Sequence, residues 1–315
     1  MHISSQAVRG ALVLSVASLL GACSYMPQLS PKLQALGGGA QPEFQEVMAP
    51  IKARSHVLFA VTQDNQLISF NASSPGELIS KIPLKGLASG ERLHGIDFRV
   101  FRGELFGLST QGRLVRIHLA NGTITPVGTP VALPKGENFG IDFNPTVDRV
   151  RVVNEQGANL RLHPETGVVI DFDPSTPGVQ HDKALAYQPG DLLAGNTPTI
   201  VAAGYTYDKT DEKITTEYAI DARLNYLVIQ GSTGTAKPFI SPNTGLLQAV
   251  GPLRIDSFDK ASFDIADIDN AAYLVTTRQG RRDSRLYEVN LNSGQARLIG
   301  AVASDQPIVG IAIEP

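Results

Sequence analysis

The sequence predicts an all-β fold, a β-propeller of five four-stranded blades, from three observations. First, a unit of about 40–50 residues with four short strands recurs from Ser55 to the C-terminus, and a repeat of this length is typical of propeller blades. Second, the two clearest units open alike, with Leu-His-Gly-Ile-Asp-Phe at 93–98 and Asn-Phe-Gly-Ile-Asp-Phe at 138–143. Third, the C-terminal segment Ile308–Pro315 resembles an opening strand that has no blade after it.

The opening strand left over at the C-terminus predicts how the ring closes. The first repeat supplies three strands, His56–Thr62, Gln66–Asn71 and Glu77–Leu84, but no opening strand. We therefore expect Ile308–Pro315 to pair into the N-terminal blade, which would cover strand edges that are otherwise exposed. Six blades are the alternative if the insertion described below, or the irregular segment Ser232–Thr244, hides a degenerate unit.

Blades two and three follow the pattern most closely, because short polar turns separate their apolar strands. The predicted strands of blade two are Leu93–Val100, Glu104–Thr110, Arg113–Leu119 and Thr123–Gly128. The predicted strands of blade three are Phe139–Phe143, Arg149–Val153, Leu160–His163 and Val168–Phe172. The dipeptide Asn121-Gly122, a strong hairpin signal, separates the last two strands of blade two.

Blades four and five complete the ring after an insertion. Residues 174–199 break the rhythm with several prolines and glycines, so we interpret them as a loop on the face where a partner could dock. The predicted strands of blade four are Ile200–Tyr207, Thr215–Ala222, Tyr226–Gln230 and Gly245–Val250. The predicted strands of blade five are Ala261–Ile265, Ala271–Thr277, Arg285–Leu291 and Ala296–Val302.

The composition narrows the function classes. Of the 315 residues, 42% are hydrophobic, which is enough for a large core. The formal net charge is only −3 and the chain has no long run of Lys and Arg, so we expect no nucleic-acid partner. The absence of Trp argues against a WD40-type propeller. The segment Gly107–Gly112 has the wrong spacing for a Gly-x-Ser-x-Gly nucleophile motif, and the catalytic residues, if any, are unknown.

The N-terminus resembles a bacterial lipoprotein leader. Arg9 precedes the apolar stretch Ala11–Leu20, which is about half as long as a membrane-spanning helix. The tetrapeptide Leu20-Gly21-Ala22-Cys23 then matches a lipobox and contains the only cysteine. The resemblance implies cleavage of residues 1–22 and attachment of diacylglycerol to Cys23, with a further acyl chain such as palmitate on the new amino group. The alternative is a buried structural cysteine that happens to follow a leader.

The leader sets the expected domain organisation and location. Residues 23–53 contain several prolines and glycines and are predicted to form a flexible tether, and residues 54–315 form the propeller. We expect a monomer anchored through its lipid to the periplasmic side or the surface of a bacterial outer membrane. Ser24, rather than Asp, follows the cysteine and favours the outer over the inner membrane.

A long motif in blade three resembles a known bacterial family. Residues Gly140–Val153 and Gly157–Pro164 are similar to a propeller family catalogued as domain-of-unknown-function family 4394. The resemblance extends from about Val57 to Pro315 and includes Leu93–Phe98 and Ala202–Thr206. It implies a secreted or surface-attached β-propeller, and it brings no established reaction, cofactor or site residue.

Three aspartates are the candidate metal ligands. Asp97, Asp142 and Asp264 hold equivalent positions on three opening strands, whereas the other two blades carry Ala312 and approximately Gly204 there. Carboxylates around a central channel could bind Ca²⁺, which prefers oxygen ligands. The alternative, which the incomplete ring favours, is that these carboxylates accept backbone N–H bonds from the neighbouring blade. On that interpretation the protein needs no cofactor.

Two groups of arginines are candidate binding residues, although such side chains are ordinarily solvated. Arg149, Arg151 and Arg161 lie in blade three, and Arg281 and Arg282 lie in blade five, where they could hold an acidic polysaccharide. We interpret the chain as a non-enzymatic binding scaffold with an envelope protein or polysaccharide as partner. The alternative is a metal-dependent hydrolase or lactonase-like enzyme at the channel, because propellers host many functions.

Overall fold

The computed structural model describes residues 46–278 and 280–315, which form a ring of five β-sheets. The leader 1–22, Cys23 and the tether up to residue 45 lie outside the described residues. Helical structure in the described ranges consists of two short turns, Val100–Arg102 and Pro242–Thr244. Neither these turns nor any other described part of the chain forms a helix able to span a bilayer.

Twenty strands run in chain order through the described residues. Blade 1 begins with β1 (Val57–Thr62), β2 (Gln66–Asn71) and β3 (Leu78–Pro83). Blade 2 consists of β4 (Leu93–Arg99), β5 (Glu104–Ser109), β6 (Leu114–Ile117) and β7 (Ile124–Val127). Blade 3 consists of β8 (Phe139–Asn144), β9 (Arg149–Asn154) and β10 (Asn159–Leu162).

Blade 4 has five strands and blade 5 has four. The strands of blade 4 are β11 (Ala186–Tyr187), β12 (Ile200–Tyr205), β13 (Glu217–Asp221), β14 (Tyr226–Gln230) and β15 (Leu246–Pro252). The strands of blade 5 are β16 (Lys260–Ile265), β17 (Ala272–Thr277), β18 (Ser284–Val289) and β19 (Ala296–Ala301). The last strand, β20 (Ile308–Ile313), returns to blade 1.

The C-terminal strand closes the ring as predicted. β20 pairs antiparallel with β1, with Leu58 opposite Ile313 and Ala60 opposite Ile311. The innermost strands β20, β4, β8, β12 and β16 pack against one another in that circular order. The fold is therefore a β-propeller of five blades, and the described residues contain no sixth sheet.

Glycines on the inner strands allow these strands to approach one another. A Cβ atom on Gly140 of β8 would lie 2.7 Å from the backbone of Ala202 on β12. A Cβ atom on Gly310 of β20 would lie 2.8 Å from the backbone nitrogen of Ile96 on β4. Close packing around the axis thus requires glycine at these two positions, because a side chain there would force the inner strands apart.

Apolar side chains fill the spaces between adjacent blades. Phe106 of blade 2 meets Phe143 of blade 3 edge-to-face, with ring centroids 5.2 Å apart. Phe59 of blade 1 meets Phe98 of blade 2 in the same way at 5.7 Å. Five buried clusters of this kind separate the blades. Each inner strand packs between two of these clusters, so its residues at the propeller axis are held in place.

The outer edges of blades 3 and 4 depart from the four-stranded expectation. The predicted strand Val168–Phe172 of blade 3 is reduced to one bridge, between Leu162 and Val169. Within the predicted insertion 174–199, Ala186 and Tyr187 pair in parallel with β15 and extend blade 4. The insertion is held by polar contacts that a hydrophobic pattern does not reveal, such as the Asp182 bonds described below.

The end of the predicted tether lies against blade 5. The Glu46 carboxylate accepts hydrogen bonds from Arg285 at 2.5 Å and from the Tyr287 hydroxyl at 2.6 Å. The backbone of Leu298, in the outermost strand β19, donates to Val47 and accepts from Ala49. Residues 46–49 therefore have ordered contacts with the ring before the chain enters β1.

Candidate functional site

The three aspartates predicted from the opening motif meet at the propeller axis. Asp97 lies near the end of β4, Asp142 near the end of β8 and Asp264 near the end of β16. One oxygen from each carboxylate lies within 4.8 Å of the corresponding oxygens of the other two. All three side chains are buried. These inner strands end on one face of the ring, and we call it the exit face.

Each carboxylate reaches across to the next blade. Asp97 Oδ2 accepts a hydrogen bond at 2.6 Å from the backbone N–H of Phe143, the residue after Asp142. Asp142 Oδ1 accepts from the N–H of Tyr205 on β12 at 3.1 Å. Asp264 Oδ2 accepts from the N–H of Ile313 on β20 at 2.6 Å. The carboxylates thus fasten the inner strands of neighbouring blades to one another.

The two blades without an aspartate explain the remaining contacts. The positions equivalent to Asp97 are Gly204 in blade 4 and Ala312 in blade 1, as the sequence predicts, so neither can accept an N–H from the following blade. In blades 2 and 5 the aspartate therefore bonds to the amide that follows it. Asp97 Oδ1 accepts from Phe98 at 2.7 Å, and Asp264 Oδ1 accepts from Ile265 at 2.6 Å.

The backbone N–H groups of the inner strands at this level of the ring all have carboxylate partners. Five N–H groups, one per inner strand, point at the axis, and five of the six carboxylate oxygens each accept one of them. A buried backbone donor without a partner costs about 1–3 kcal/mol. These are the backbone contacts that the sequence left open as the alternative to a metal site.

Burial controls the electrostatics of the cluster. Removal from water raises the pKa of Asp97 and Asp142 well above the usual value, and the neighbouring carboxylates raise both further. Burial likewise raises the pKa of Asp264 to about 7, although its two backbone donors act in the opposite direction. The cluster therefore retains protons at neutral pH.

The same oxygens have the donor chemistry for a small hard cation, but little capacity is left. Ca²⁺ takes 6–8 oxygen ligands, whereas five of the six carboxylate oxygens are already acceptors for N–H groups. The cavity beside these oxygens has a volume of about 10 Å³. That is about the minimum for one water molecule. Asp267 also lines this cavity, and burial raises its pKa to about 6.

Arg151, a candidate binding residue, lies in the interior. It is 2% exposed and forms ion pairs with Asp182 at 2.5 Å and Glu217 at 3.2 Å. It also donates to the hydroxyl of Tyr205 at 3.1 Å. Arg161, which lies opposite Arg151 on the next strand, donates to both oxygens of Asp182. These two arginines hold the insertion and blade 4 against blade 3.

The other candidate arginines do not converge on a common site. Arg149 is half-buried and donates to the backbone oxygens of Val147 and Asp148. Arg281 and Arg282 are exposed in the turn before β18, where Arg281 pairs with Asp283 at 2.9 Å. The structure thus places the blade 3 and blade 5 arginines in different sheets.

A second recess, which was not predicted from the sequence, lies between blades 4 and 5 on the exit face. Its volume is about 670 Å³ and its lining includes Tyr207, Tyr218 and Asn270. One wall is the long charged loop between β12 and β13. The length of that loop was visible in the sequence, but the blade 5 residues that face it were not.

The fold and the axial carboxylates define this protein as a closed five-bladed β-propeller whose inner strands are joined by buried aspartates. The family described as a domain of unknown function (DUF4394) matches residues 66–312, which is most of the chain. The protein therefore belongs to this family. No curated protein matches the chain.

Two solved structures are similar over most of the chain. A protein of unknown function from Bacteroides thetaiotaomicron is 15% identical with a TM-score of 0.46, and the match covers 82% of this chain and 58% of that protein. A protein from Lactobacillus plantarum is 16% identical with a TM-score of 0.35, and the match covers 81% of this chain and 71% of that one. The chain thus spans little more than half the length of the Bacteroides protein.

Proposed function

We propose that this protein is a binding scaffold of the bacterial cell envelope, anchored by lipid at Cys23. The observation that carries the proposal is the engagement of the axial carboxylates. Five of their six oxygens accept backbone N–H bonds, so the acidic cluster serves the ring itself rather than a reacting substrate. A rigid ring then presents its loops as the working surface, which suits a protein or polysaccharide partner.

The anchor is supported by the lipobox Leu20-Gly21-Ala22-Cys23 and by the apolar stretch before it. Two or three acyl chains give stable attachment, whereas one gives only marginal binding. The contacts of Glu46 with Arg285 and Tyr287 leave residues 24–45 between the lipid and the ring. The proposed location is the periplasmic side or the surface of the outer membrane.

Cell fractionation with mass spectrometry tests the anchor. The full chain, expressed in a Gram-negative host, is expected in the membrane fraction with an acylated N-terminal peptide beginning at Cys23. The Cys23→Ala variant is expected to lack the lipid and to keep residues 1–22, because the cleavage site includes this cysteine. An unmodified Cys23 in the wild type, or a variant that is still cleaved before residue 23 and acylated, contradicts the anchor. Cross-linking of the anchored protein in intact cells then tests for an envelope partner.

One observation favours the second candidate function, a metal-dependent hydrolase or lactonase-like enzyme. Three buried carboxylates within 4.8 Å of one another resemble a cation site. Metal analysis of the purified full chain separates the two functions. The scaffold predicts no stoichiometric divalent ion. A stoichiometric ion that is lost in the Asp97→Asn variant, together with hydrolysis of a lactone or ester substrate, favours the enzyme.

A further inference from the structure

The cleft between blades 4 and 5 has the size of a ligand site. Its volume of about 670 Å³ falls within the ~300–1,000 Å³ that is typical of small-molecule sites. Its walls come from the loop after β12, the loop after β16 and the turn after β18. Two separate blades hold these loops, and the buried cluster between those blades fixes their spacing.

Tyr218 supplies a hydroxyl group to the lining of this cleft. The side chain lines the cleft and is 8% exposed, and its ring packs in the apolar cluster between the two blades. Its hydroxyl forms no hydrogen bond with any residue in the ranges 46–278 and 280–315. By contrast, the buried hydroxyl of Tyr205 in the same blade donates to Glu217 at 2.6 Å. The Tyr218 hydroxyl is therefore open to the cleft, where it can donate to a ligand and accept from one.

Tyr207 forms a preorganised wall of the same cleft. Its backbone N–H donates to Asn270 Oδ1 at 2.9 Å, and its backbone oxygen accepts from Asn270 Nδ2 at 3.0 Å. Blade 5 thus clamps a residue of blade 4 on both sides of its Cα atom. The backbone of Tyr207 is therefore fixed against blade 5, which keeps its side chain at the cleft.

The rim carries neutral hydrogen-bonding groups and balanced charge. Asn290 Oδ1 accepts from two backbone N–H groups of its turn, which leaves its Nδ2 group available. Asp208 and Lys209 bring opposite charges to the lining, and Glu288 is neutralised by Lys52 at 2.6 Å and by Arg54 at 3.0 Å. This charge balance disfavours a strongly anionic or cationic ligand.

We propose that this cleft binds a neutral saccharide, a ligand class that rests on the proposed role as an envelope binding protein. A sugar ring has an apolar C–H face that can stack on Tyr207 and a rim of hydroxyl groups that both donate and accept hydrogen bonds. Those hydroxyls match the free Tyr218 hydroxyl, the Asn290 amide and the Asp208 carboxylate. The saccharide comes either from a free oligosaccharide or from an envelope polymer.

Calorimetric titration of the full chain, purified from membranes in detergent, tests the site. The probes are neutral trisaccharides of glucose, mannose, galactose or N-acetylglucosamine, with uronic acid trisaccharides as charged controls. At least one neutral probe is expected to bind with a Kd in the range of about 10 µM to 1 mM. The Tyr218→Phe variant is expected to weaken this binding about fivefold without lowering the Tm, because its hydroxyl has no partner in the protein.

A second variant, a matched control and a polymer arm complete the test. Tyr207→Ala is expected to weaken binding by about tenfold or more, since it removes the stacking face. Tyr226→Phe is the control, because Tyr226 is also buried in blade 4 but does not line the cleft. Peptidoglycan strands and delipidated lipopolysaccharide form the polymer arm. Tighter binding there than to the matching trisaccharide identifies a polymer source, and equal affinity identifies a free oligosaccharide.

The proposal is overturned if no neutral saccharide binds in either arm, if the uronic acid probes bind more tightly than the neutral ones, or if Tyr218→Phe leaves the affinity unchanged. Tyr218→Phe decides the case even if Tyr207→Ala fails to fold. The Cys23→Ala experiment is independent of these results. Failure of the anchor leaves a cleft-dependent saccharide affinity standing, and failure of the cleft leaves an anchored scaffold with another ligand.

Discussion

The carboxylate of Asp97 accepts a hydrogen bond at 2.6 Å from the backbone N–H of Phe143, which lies 46 positions further along the chain and one blade further around the ring. Asp142 and Asp264 repeat this contact with Tyr205 and Ile313. These three contacts link blade 2 to blade 3, blade 3 to blade 4 and blade 5 to blade 1. The motif Gly-Ile-Asp-Phe is the sequence form of this arrangement, since the glycine permits the approach and the aspartate accepts the N–H.

Replacing Asp97 by Ala is expected to destabilise the ring. The substitution removes both acceptors and leaves the buried N–H groups of Phe98 and Phe143 without partners. At about 1–3 kcal/mol for each of the two unsatisfied donors, the free energy of unfolding falls by about 2–6 kcal/mol. Urea denaturation measures this loss. The control Asp259→Ala, at an exposed position, is expected to change stability by less than about 0.5 kcal/mol, and an equal effect of the two variants contradicts the account.

The axial cluster is expected to make the protein less stable as the pH rises. Burial raises the pKa of Asp264 to about 7 and that of Asp267 to about 6, above the ordinary Asp value of 3.8. The folded protein then holds protons that the unfolded chain has released. The contribution of these protons to stability is complete below about pH 4 and is lost as the pH rises toward about 7.

Urea unfolding between pH 5 and pH 7.5 checks this dependence. The expected decrease is up to about 1.4 kcal/mol per pH unit for each proton held. Asp264→Asn removes the ionisable group but keeps an oxygen acceptor, so its stability is expected to vary less with pH. A wild-type stability that rises over this interval, or a variant with the same slope, is inconsistent with a protonated cluster.

The sequence predicts the ring of blades better than it predicts the contacts within it and at its surface. The repeated opening motif and the unpaired Ile308–Pro315 strand predict five blades and the closure, because both depend on local patterns that recur. The gaps at Gly204 and Ala312 are also visible in the repeat. Which oxygen accepts which N–H is not predictable, since it depends on the distance between blades that are far apart in sequence.

Burial of Arg151 shows a second limit of the sequence. Its position between Val150 and Val152 is that of an exposed residue in an alternating strand, but the insertion covers that face and supplies Asp182. The blade 4 and 5 cleft was missed for the same reason, because Tyr207 and Asn270 meet only when the ring is closed. Contacts made by irregular loops leave no periodic signal.

Deleting Ile308–Pro315 is expected to unfold or aggregate the protein. The deletion exposes the edge of β1 and removes the N–H of Ile313 that binds Asp264. Thermal unfolding and light scattering measure the outcome. Deleting only Glu314 and Pro315, which follow β20, serves as the control and is expected to preserve the ring. A longer truncation that stays monomeric with an unchanged Tm refutes the closure.

Replacing Arg151 by Met is expected to cost about 3–5 kcal/mol of stability. The change leaves the buried carboxylates of Asp182 and Glu217 without the guanidinium that lies between them. Chemical denaturation measures the loss. The exposed Arg282→Met variant is the control. If the two substitutions have equal effects, Arg151 does not hold blade 3, blade 4 and the insertion together.

Loss of the Glu46 carboxylate is expected to free the segment that leads into the ring. Glu46→Ala removes the acceptor for Arg285 and for the Tyr287 hydroxyl. Hydrogen exchange is expected to show faster exchange at Ala49, whose N–H bonds to Leu298, while the amides of β1 keep their protection. Unchanged exchange at Ala49 indicates that the Val47 and Ala49 backbone contacts suffice without the side chain.

Thermal unfolding of the purified full chain, with a chelator and then with excess Ca²⁺, tests the structural role of the axial aspartates most directly. Because their oxygens already accept the five backbone N–H groups, the Tm is expected to be the same under both conditions, and Asp97→Ala is expected to lower it equally in both. A Tm that rises with Ca²⁺ in the wild type but not in Asp97→Ala would contradict this role and place a metal ion at the axis.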